Sequence, residues 1–99
     1  MEEILELFQG IMKIGTWSRK YVILRDNILT YCDKQGGEIE GRIHLRVAKV
    51  NELDPLKPEF RVDTGTTPLL FRAPNLASKA KWLNAMWGYK QTGPGNGRQ

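Results

Sequence analysis

The feature that most constrains the fold is a series of short alternating segments that is followed by one helical segment. The alternating segments extend from Gln9 to Ala73 and are separated by turn residues, and the helical segment covers residues 75–89. Alternation with a period of two predicts strands, whereas apolar residues at intervals of three and four predict a helix. We therefore predict a mainly β fold, an antiparallel sandwich or barrel of seven strands, with one C-terminal α-helix closing an open end.

Seven strands are predicted from β-branched and aromatic residues that lie between turn signals. The clearest is the segment 17–24, in which alternation places Arg19 and Lys20 on opposite faces. The first three residues are also compatible with a short helical turn. The predicted strands cover residues 4–13, 17–24, 28–32, 39–45, 48–53, 59–63 and 69–73.

The ends of the predicted helix have recognisable signals. Asn75 follows a proline and is a suitable N-cap, because its side chain can accept a hydrogen bond from the first turn. Either Gly88 or Gly93 could end the helix, the first just after the last apolar residue and the second just past Lys90.

The predicted helix has an apolar stripe that we expect to pack on the sheet. Lys79 and Lys81 fall outside this stripe. Trp82 lies beside it, and we interpret Trp82 as a core residue rather than as a platform for a ligand. The stripe consists of Leu76, Ala80, Leu83 and Trp87, with Trp82 and Met86 next to it.

Length and composition indicate one globular domain and a peripheral relation to any membrane. The chain has 99 residues, and we expect the domain to cover residues 1–92, with residues 93–99 (GPGNGRQ) as a disordered tail or linker. No apolar run approaches the ~20 residues that cross a bilayer. Cys32 is the only cysteine, which excludes an internal disulfide and indicates a cytosolic setting. The net charge of +4 permits an anionic partner.

No pattern in the chain predicts catalysis, a cofactor or a metal site. We find no Ser/His/Asp order, no loop of paired carboxylates and no glycine-rich phosphate loop, so we do not expect an enzyme. His44 is the only histidine, and it has no metal-ligand spacing with Cys32 or Asp63. Cys32 itself is interpreted as a small buried residue at a strand end.

Four segments carry a resemblance to a known family. In order, they are similar to its second strand, W-K-x-R-[WY]-F-V-L, its third strand, x-x-L-x-Y, a later G-x-I-x-L strand, and the ending F-x-A…x-W-[IL]-x-A-[IM]. In this chain they read WSRKYVIL (17–24), NILTY (27–31), GRIHL (41–45), and LFRA (70–73) leading into KWLNAM (81–86). Their order and spacing over residues 9–89 resemble a pleckstrin homology (PH) domain. The G-x-I-x-L strand and the ending are most similar to PH domains of lipid-transfer proteins of the oxysterol-binding, ceramide-transfer and four-phosphate-adaptor type.

This resemblance implies a non-enzymatic, membrane-targeting module that binds a phosphoinositide. The favoured lipid is phosphatidylinositol 4-phosphate, in the cytoplasmic leaflet of the Golgi or plasma membrane. The module would be a monomer within a larger lipid-transfer or signalling protein, with a possible protein partner and no nucleic-acid partner.

The resemblance also identifies candidate residues for the headgroup. Members that bind phosphoinositides carry a lysine late in strand one and K/R-x-R in strand two, because phosphates attract several cations. Lys13 matches the first position and Lys20 the last, whereas Ser18 replaces the other cation. The further headgroup candidates are Tyr31, Arg42, Lys34 and Arg19, and the residues expected to contact the membrane are Ile14, Gly15, Thr16 and Trp17.

Two other interpretations remain open at this point. Ser18 and the short loop 14–16, which lacks the K-W-T-N sequence of the lipid-transfer proteins, favour a PH-like protein-interaction module without lipid binding. Alternatively, the cations form a basic face that only contacts water. An OB-type nucleic-acid binder is disfavoured, since it would need aromatic residues interleaved with cations on its strands.

Overall fold

The computed structural model describes residues 1–11 and 14–91, and this part of the chain confirms the predicted fold of seven antiparallel strands and one C-terminal helix. A single 3₁₀ turn connects the fourth and fifth strands. The elements are β1 Glu2–Ile11, β2 Ile14–Arg25, β3 Ile28–Cys32, β4 Ile39–His44, the 3₁₀ turn Leu45–Val47, β5 Lys49–Glu52, β6 Glu59–Asp63, β7 Pro68–Arg72 and α1 Leu76–Gln91. The predicted tail 93–99, its Gly93 and the predicted strand end at Lys13 lie outside the described residues.

The strands form one antiparallel sheet in the order β4-β3-β2-β1-β7-β6-β5. The long β1–β2 hairpin is paired from Glu2 opposite Ile23 to Ile11 opposite Ile14. The alternative of a helical turn at the start of the chain is therefore wrong, because Glu2 is already paired with Ile23 near the end of β2. Near the tip, Gly10 lies opposite Gly15, and a Cβ atom on either one would overlap the backbone of the other strand.

The strands of the sheet direct alternate side chains into one core. On β2 the buried residues Val22 and Leu24 follow Lys20 at intervals of two, as predicted from alternation. The rings of Phe60 and Phe71 stack with their centroids 5.6 Å apart. The core cluster consists of Leu5, Leu7, Val22, Leu24, Leu29, Ile43, Leu45, Ala48, Val50, Phe60, Val62, Phe71, Ala73, Trp82, Leu83 and Met86.

The helix begins where the sequence predicts, but its buried side is rotated from the predicted stripe. The side chain of Asn75 accepts a hydrogen bond from the Ser78 backbone N–H at 2.8 Å, as expected of an N-cap. Leu76, by contrast, is 47% exposed, and Ala80 is also exposed. The helix continues through Gly88, so this glycine is not its end. The buried residues are Ser78, Lys79, Trp82, Leu83 and Met86.

Lys79 explains the rotation, because it is 2% exposed and all of its donors have partners. Its ammonium group donates to the backbone oxygens of Asp54 at 2.9 Å and Lys57 at 2.6 Å. It also forms an ion pair with Glu52, with 2.7 Å between Nζ and Oε2. A buried charge is tolerated only when it is paired and hydrogen-bonded, and here three acceptors meet that condition. Lys79 thus fixes the β5–β6 loop on the helix.

Trp82 is completely buried, which confirms its prediction as a core residue. Its indole N–H donates to a carboxylate oxygen of Glu3 at 2.7 Å, and the hydroxyl of Ser78 donates to the same oxygen at 2.5 Å. Because a buried indole needs an acceptor, Glu3 both satisfies Trp82 and joins β1 to α1.

The end of the helix is attached to β5, the last strand of the sheet. The indole N–H of Trp87 donates to the backbone oxygen of Val50 at 3.1 Å. Trp87 is half-buried and packs against the core. The helix therefore supplies a hydrogen-bond donor to a backbone carbonyl of this edge strand.

Cys32 is 3% exposed, as predicted, and its thiol donates weakly to the Tyr21 backbone oxygen at 3.7 Å. We expect the native thiol to react at least tenfold more slowly with a disulfide reagent than the urea-unfolded chain, because only an accessible thiolate reacts. Absorbance of the released thiol measures this. Equal rates in the native and unfolded states would contradict the burial of this strand end.

Candidate functional site

A cavity of about 230 Å³ lies between the first two strands and the β3–β4 turn. Three of the cations predicted to bind a headgroup, Arg19, Lys20 and Lys34, line it together. The first two come from consecutive positions of β2, and the third lies in the turn that follows β3. We call it the basic cavity, and it is lined by Ile4, Arg19, Lys20, Tyr21, Asp33, Lys34 and Gln35.

Lys20 enters this cavity with its charge already paired. The residue is 7% exposed, and its Nζ lies 2.7 Å from a carboxylate oxygen of Glu40 and 3.8 Å from one of Asp33. The hydrogen bond with Glu40 raises the pKa of Lys20 above its ordinary value, and the charges of Glu40 and Asp33 act in the same direction, although burial opposes them. Lys20 therefore stays protonated at neutral pH, and a phosphate would have to compete with two carboxylates for it.

The sequence analysis did not identify the carboxylates of Asp33 and Glu40, although the hairpin register could have identified Asp33. β2 and β3 pair with Leu24 opposite Leu29 and Tyr21 opposite Cys32. Extending the same register by one residue places Asp33 next to Lys20. Glu40 gives no such signal, since it lies at an irregularity in which the β3–β4 register shifts by a residue.

Arg19 and Lys34 are the accessible cations of the basic cavity. Both are exposed, and within the described residues neither has a carboxylate oxygen within 4.0 Å of its side-chain nitrogens. Arg19 also lines a neighbouring cavity of about 220 Å³, together with Glu6 and Arg72. Arg19 therefore lies on the outer face, as alternation predicts, and still reaches the rim of the basic cavity.

Tyr21 closes one side of the basic cavity, and its hydroxyl donates to a carboxylate oxygen of Glu2. This hydrogen bond raises the pKa of Tyr21, with smaller contributions from burial and the Glu2 charge. The phenol is neutral at physiological pH and holds the start of β1 against β2.

Tyr31 and Arg42 do not line the basic cavity. The ring of Tyr31 lies over Gly41, where a side chain would collide with it, and it meets Phe71 edge-on with centroids 6.1 Å apart. Arg42 is exposed and is paired with Thr30, next to the buried pair formed by Leu29 and Ile43. Alternation therefore directs Arg42 to the outer face of β4.

The residues predicted to contact a membrane lie near the tip of the β1–β2 hairpin. Lys13 is outside the described residues. Ile14 is 83% exposed, and Gly15 and Thr16 are exposed as well. Ile14 is six positions from Lys20 along β2, which corresponds to about 20 Å of extended strand.

Trp17 is already engaged in contacts on the outer face of the sheet. It is half-buried and meets Phe8 edge-on, with ring centroids 5.4 Å apart. The guanidinium of Arg72 lies 4.1 Å from the centre of its ring and donates to Glu6 at 2.7 Å. These contacts hold Trp17 on the sheet, and among the tip residues whose burial is described the exposed apolar one is Ile14.

Two absences apply to residues 1–11 and 14–91. No group of three or more His, Cys, Asp or Glu side chains in this part of the chain is placed to hold a metal ion. Nor does it contain a helix with the length and hydropathy required to span a bilayer.

Several solved structures share this fold. The crystal structure of the C-terminal PH domain of pleckstrin in complex with D-myo-Ins(1,2,3,5,6)P5 has a TM-score of 0.77 and 22% identity, over 91% of this chain and 93% of that one. The PH domain of human KIAA0053 protein has a TM-score of 0.79 and 20% identity, over 98% and 92%. The PH domain of human oxysterol-binding protein-related protein 11 has a TM-score of 0.77 and 18% identity, over 98% and 92%.

A comparison with curated protein sequences gave no match. The family model described as "PH domain" matches residues 1–87, most of the chain. PH domains are generally non-catalytic binding modules. The family match, the seven strands and the closing helix together show that this chain belongs to the PH domain family.

Proposed function

We propose that this PH domain is a membrane-targeting module that binds a phosphoinositide headgroup in the basic cavity. The observation that carries the proposal is the position of Arg19, Lys20 and Lys34 around one cavity. Phosphate groups carry up to two negative charges and several acceptor oxygens, so they favour sites with several cations. The complex of the pleckstrin C-terminal domain with an inositol pentakisphosphate supports the same class of ligand.

The charges and size of the basic cavity favour a headgroup with few phosphates. Of the described residues, three cations and one carboxylate line it, a balance of +2, and Glu40 on Lys20 reduces this to +1. Its volume of about 230 Å³ is also below the ~300–1,000 Å³ of typical ligand sites. Phosphatidylinositol 4-phosphate is therefore our favoured ligand, ahead of more highly phosphorylated lipids.

In this proposal Arg19 and Lys34 make the first contacts, and Lys20 exchanges Glu40 for a phosphate oxygen. Arg19 can form two parallel hydrogen bonds with a phosphate, whereas each lysine acts as a point charge. Lys13, Tyr31 and Arg42 remain proposed contributors, of which the last two would act from outside the basic cavity. Ile14, Gly15, Thr16 and Trp17 are the proposed membrane-contacting residues, with Ile14 inserting into the lipid.

The wider setting is also part of the proposal. The likeness to the PH domain of oxysterol-binding protein-related protein 11 supports a role within a lipid-transfer or signalling protein. We propose that the domain acts as a monomer on the cytoplasmic leaflet of the Golgi or plasma membrane, without a nucleic-acid partner.

Replacing both Arg19 and Lys34 by alanine is expected to weaken binding to vesicles with phosphatidylinositol 4-phosphate by about thirtyfold. The estimate assumes about 1 kcal/mol for each cation near the lipid surface. Cosedimentation with the vesicles measures the change in binding. Because both side chains are exposed, the melting temperature should not change.

The matched control removes two exposed cations elsewhere, Arg46 and Lys49, which do not line the basic cavity. Vesicles with phosphatidylserine at equal total charge separate headgroup recognition from general attraction. Equal losses for the two double variants, or equal binding to both kinds of vesicle, would contradict a headgroup site at the basic cavity.

The ion pair of Lys20 favours a second candidate, a protein-interaction module without lipid binding. If Lys20 serves only to hold Glu40 and Asp33 in place, the basic cavity has fewer cations to offer a phosphate. The β3–β4 turn would then be a rigid surface for another protein.

Glu40→Gln separates the two candidates. Under the lipid proposal it frees the charge of Lys20 and should strengthen vesicle binding by about fivefold, which corresponds to ~1 kcal/mol. Glu38→Gln is the control, since Glu38 is exposed, lies two positions before Glu40 and forms no ion pair within the described residues. A Glu40→Gln variant that melts at lower temperature and binds vesicles no better would favour the protein-interaction module.

A further inference from the structure

The outer face of β1, β6 and β7 carries a cleft of about 420 Å³ that the basic cavity does not include. Its walls are largely apolar and include Phe8, Leu53, Pro68 and Leu70. None of these four residues belongs to the buried core cluster. The outer face of an antiparallel sheet is usually polar, so the core does not explain why apolar residues are placed here.

Among the described residues that line the cleft, Arg61 is the one cation, and it has an unsatisfied donor. The Nε atom of Arg61 is buried and has no hydrogen-bond acceptor within the described residues. A buried donor without a partner is costly, and charged donors cost more than neutral ones. A ligand that brings an acceptor to this nitrogen, with a movement of the Arg61 side chain that uncovers it, would remove that cost.

The neighbouring carboxylates do not satisfy Arg61. Glu59 and Asp63 lie two positions away on the same face of β6, yet neither has an oxygen within 4.0 Å of an Arg61 nitrogen. Asp63 instead accepts a hydrogen bond from the backbone N–H of Gly65 at 2.9 Å. Among the described residues no Asp or Glu lines the cleft, so none of their carboxylates would compete with an anionic ligand for Arg61.

We propose that this cleft binds a small anionic amphiphile, a carboxylate or phosphate monoester attached to an alkyl or aryl group. The oxyanion would accept hydrogen bonds from Arg61, and the apolar group would cover Phe8, Leu53 and Leu70. Guanidinium groups bind carboxylates and phosphates through paired, charge-assisted hydrogen bonds. The volume lies within the range of small-molecule sites, which are mostly apolar with a few polar groups. This site goes beyond the proposed headgroup function and shares no lining residue with the basic cavity.

Chain-matched probes test the proposal. We would titrate the ¹⁵N-labelled domain with decanoate, decyl phosphate, decanol and decyltrimethylammonium, each below its micelle concentration. The expected result is saturable shifts of the Leu53, Arg61 and Leu70 amide signals, with at least tenfold tighter binding of an anionic probe than of decanol. Comparing decanoate with decyl phosphate then shows which head group is preferred.

Two variants complete the test. Arg61→Gln should weaken anionic-probe binding at least tenfold, whereas Arg46→Gln, which removes an exposed arginine elsewhere, should not. Leu53 is 46% exposed, so Leu53→Asp should fold, supply a carboxylate near Arg61 and also abolish binding. Absence of saturable shifts, equal binding of decanol and decanoate, or unchanged binding by Arg61→Gln would overturn the proposal. Neither Arg61→Gln nor Leu53→Asp should change vesicle binding through the basic cavity, so this proposal and the headgroup proposal can fail separately.

Discussion

Replacement of Lys79 by methionine is expected to destabilise the domain by about 1–3 kcal/mol, the range for buried acceptors that lose their donor, because the ammonium is buried whereas its charged partner Glu52 is exposed. Methionine keeps an unbranched side chain but has no ammonium group. The carboxylate of Glu52 and the backbone oxygens of Asp54 and Lys57 would then lose their donor. Urea unfolding followed by tryptophan fluorescence measures the change in the free energy of unfolding.

Lys81→Met provides the control, because Lys81 lies on the same helix and is exposed. It should change the free energy of unfolding by less than about 0.5 kcal/mol. Lys79→Arg retains a charge and several donors, so it should recover part of the loss if the ion pair is responsible. A Lys79→Met domain as stable as the Lys81→Met domain would show that the buried ammonium does not fix the β5–β6 loop.

Trp82→Ala is the second change with a large expected effect, a loss of about 3–5 kcal/mol from the cavity that remains in the core. Such a loss is comparable with the whole stability of a small domain, and we expect the variant to be largely unfolded at 37 °C. Circular dichroism during heating measures this as a lost or strongly lowered transition.

Trp82→Phe separates packing from the hydrogen bond to Glu3. Phenylalanine fills most of the space but leaves Glu3 with Ser78 as its donor, so a smaller loss of about 1–3 kcal/mol is expected. Asn84→Ala, at an exposed position of the same helix, should leave the transition unchanged. An unchanged melting temperature for Trp82→Ala would refute the position of this side chain in the core.

The strands could be predicted from the sequence because alternation and turn residues are local signals. The third and sixth strands have the predicted bounds, Ile28–Cys32 and Glu59–Asp63. The helix was also predicted, including its N-cap and its core residue Trp82, but the rotation of its buried side was not. The reason is Lys79, a charged residue that any hydrophobicity pattern assigns to the surface. Its burial depends on acceptors in a loop more than twenty residues away, and local periodicity does not contain that information.

The candidate site was predicted in part for a similar reason. Alternation correctly separated the faces of Arg19 and Lys20, and the family pattern indicated Lys20, with Arg19 and Lys34 as further candidates. The pairing of Lys20 with Glu40 depends on a shift in the β3–β4 register, which no motif encodes. Tyr31 and Arg42 were grouped with the cavity because the family places the third strand and following turn there. In this chain the glycine at position 41 admits the ring of Tyr31, which then packs against Phe71.

The contact between Trp87 and β5 has a consequence for the behaviour of the domain at high concentration. A strand at the margin of a sheet can act as a template on which another chain adds by backbone pairing, which is a common start of aggregation. With the carbonyl of Val50 occupied by an indole and a helix packed against the strand, an incoming chain would have to displace Trp87 first. The last turns of the helix thus also hinder strand addition at β5, one of the two edges of the sheet.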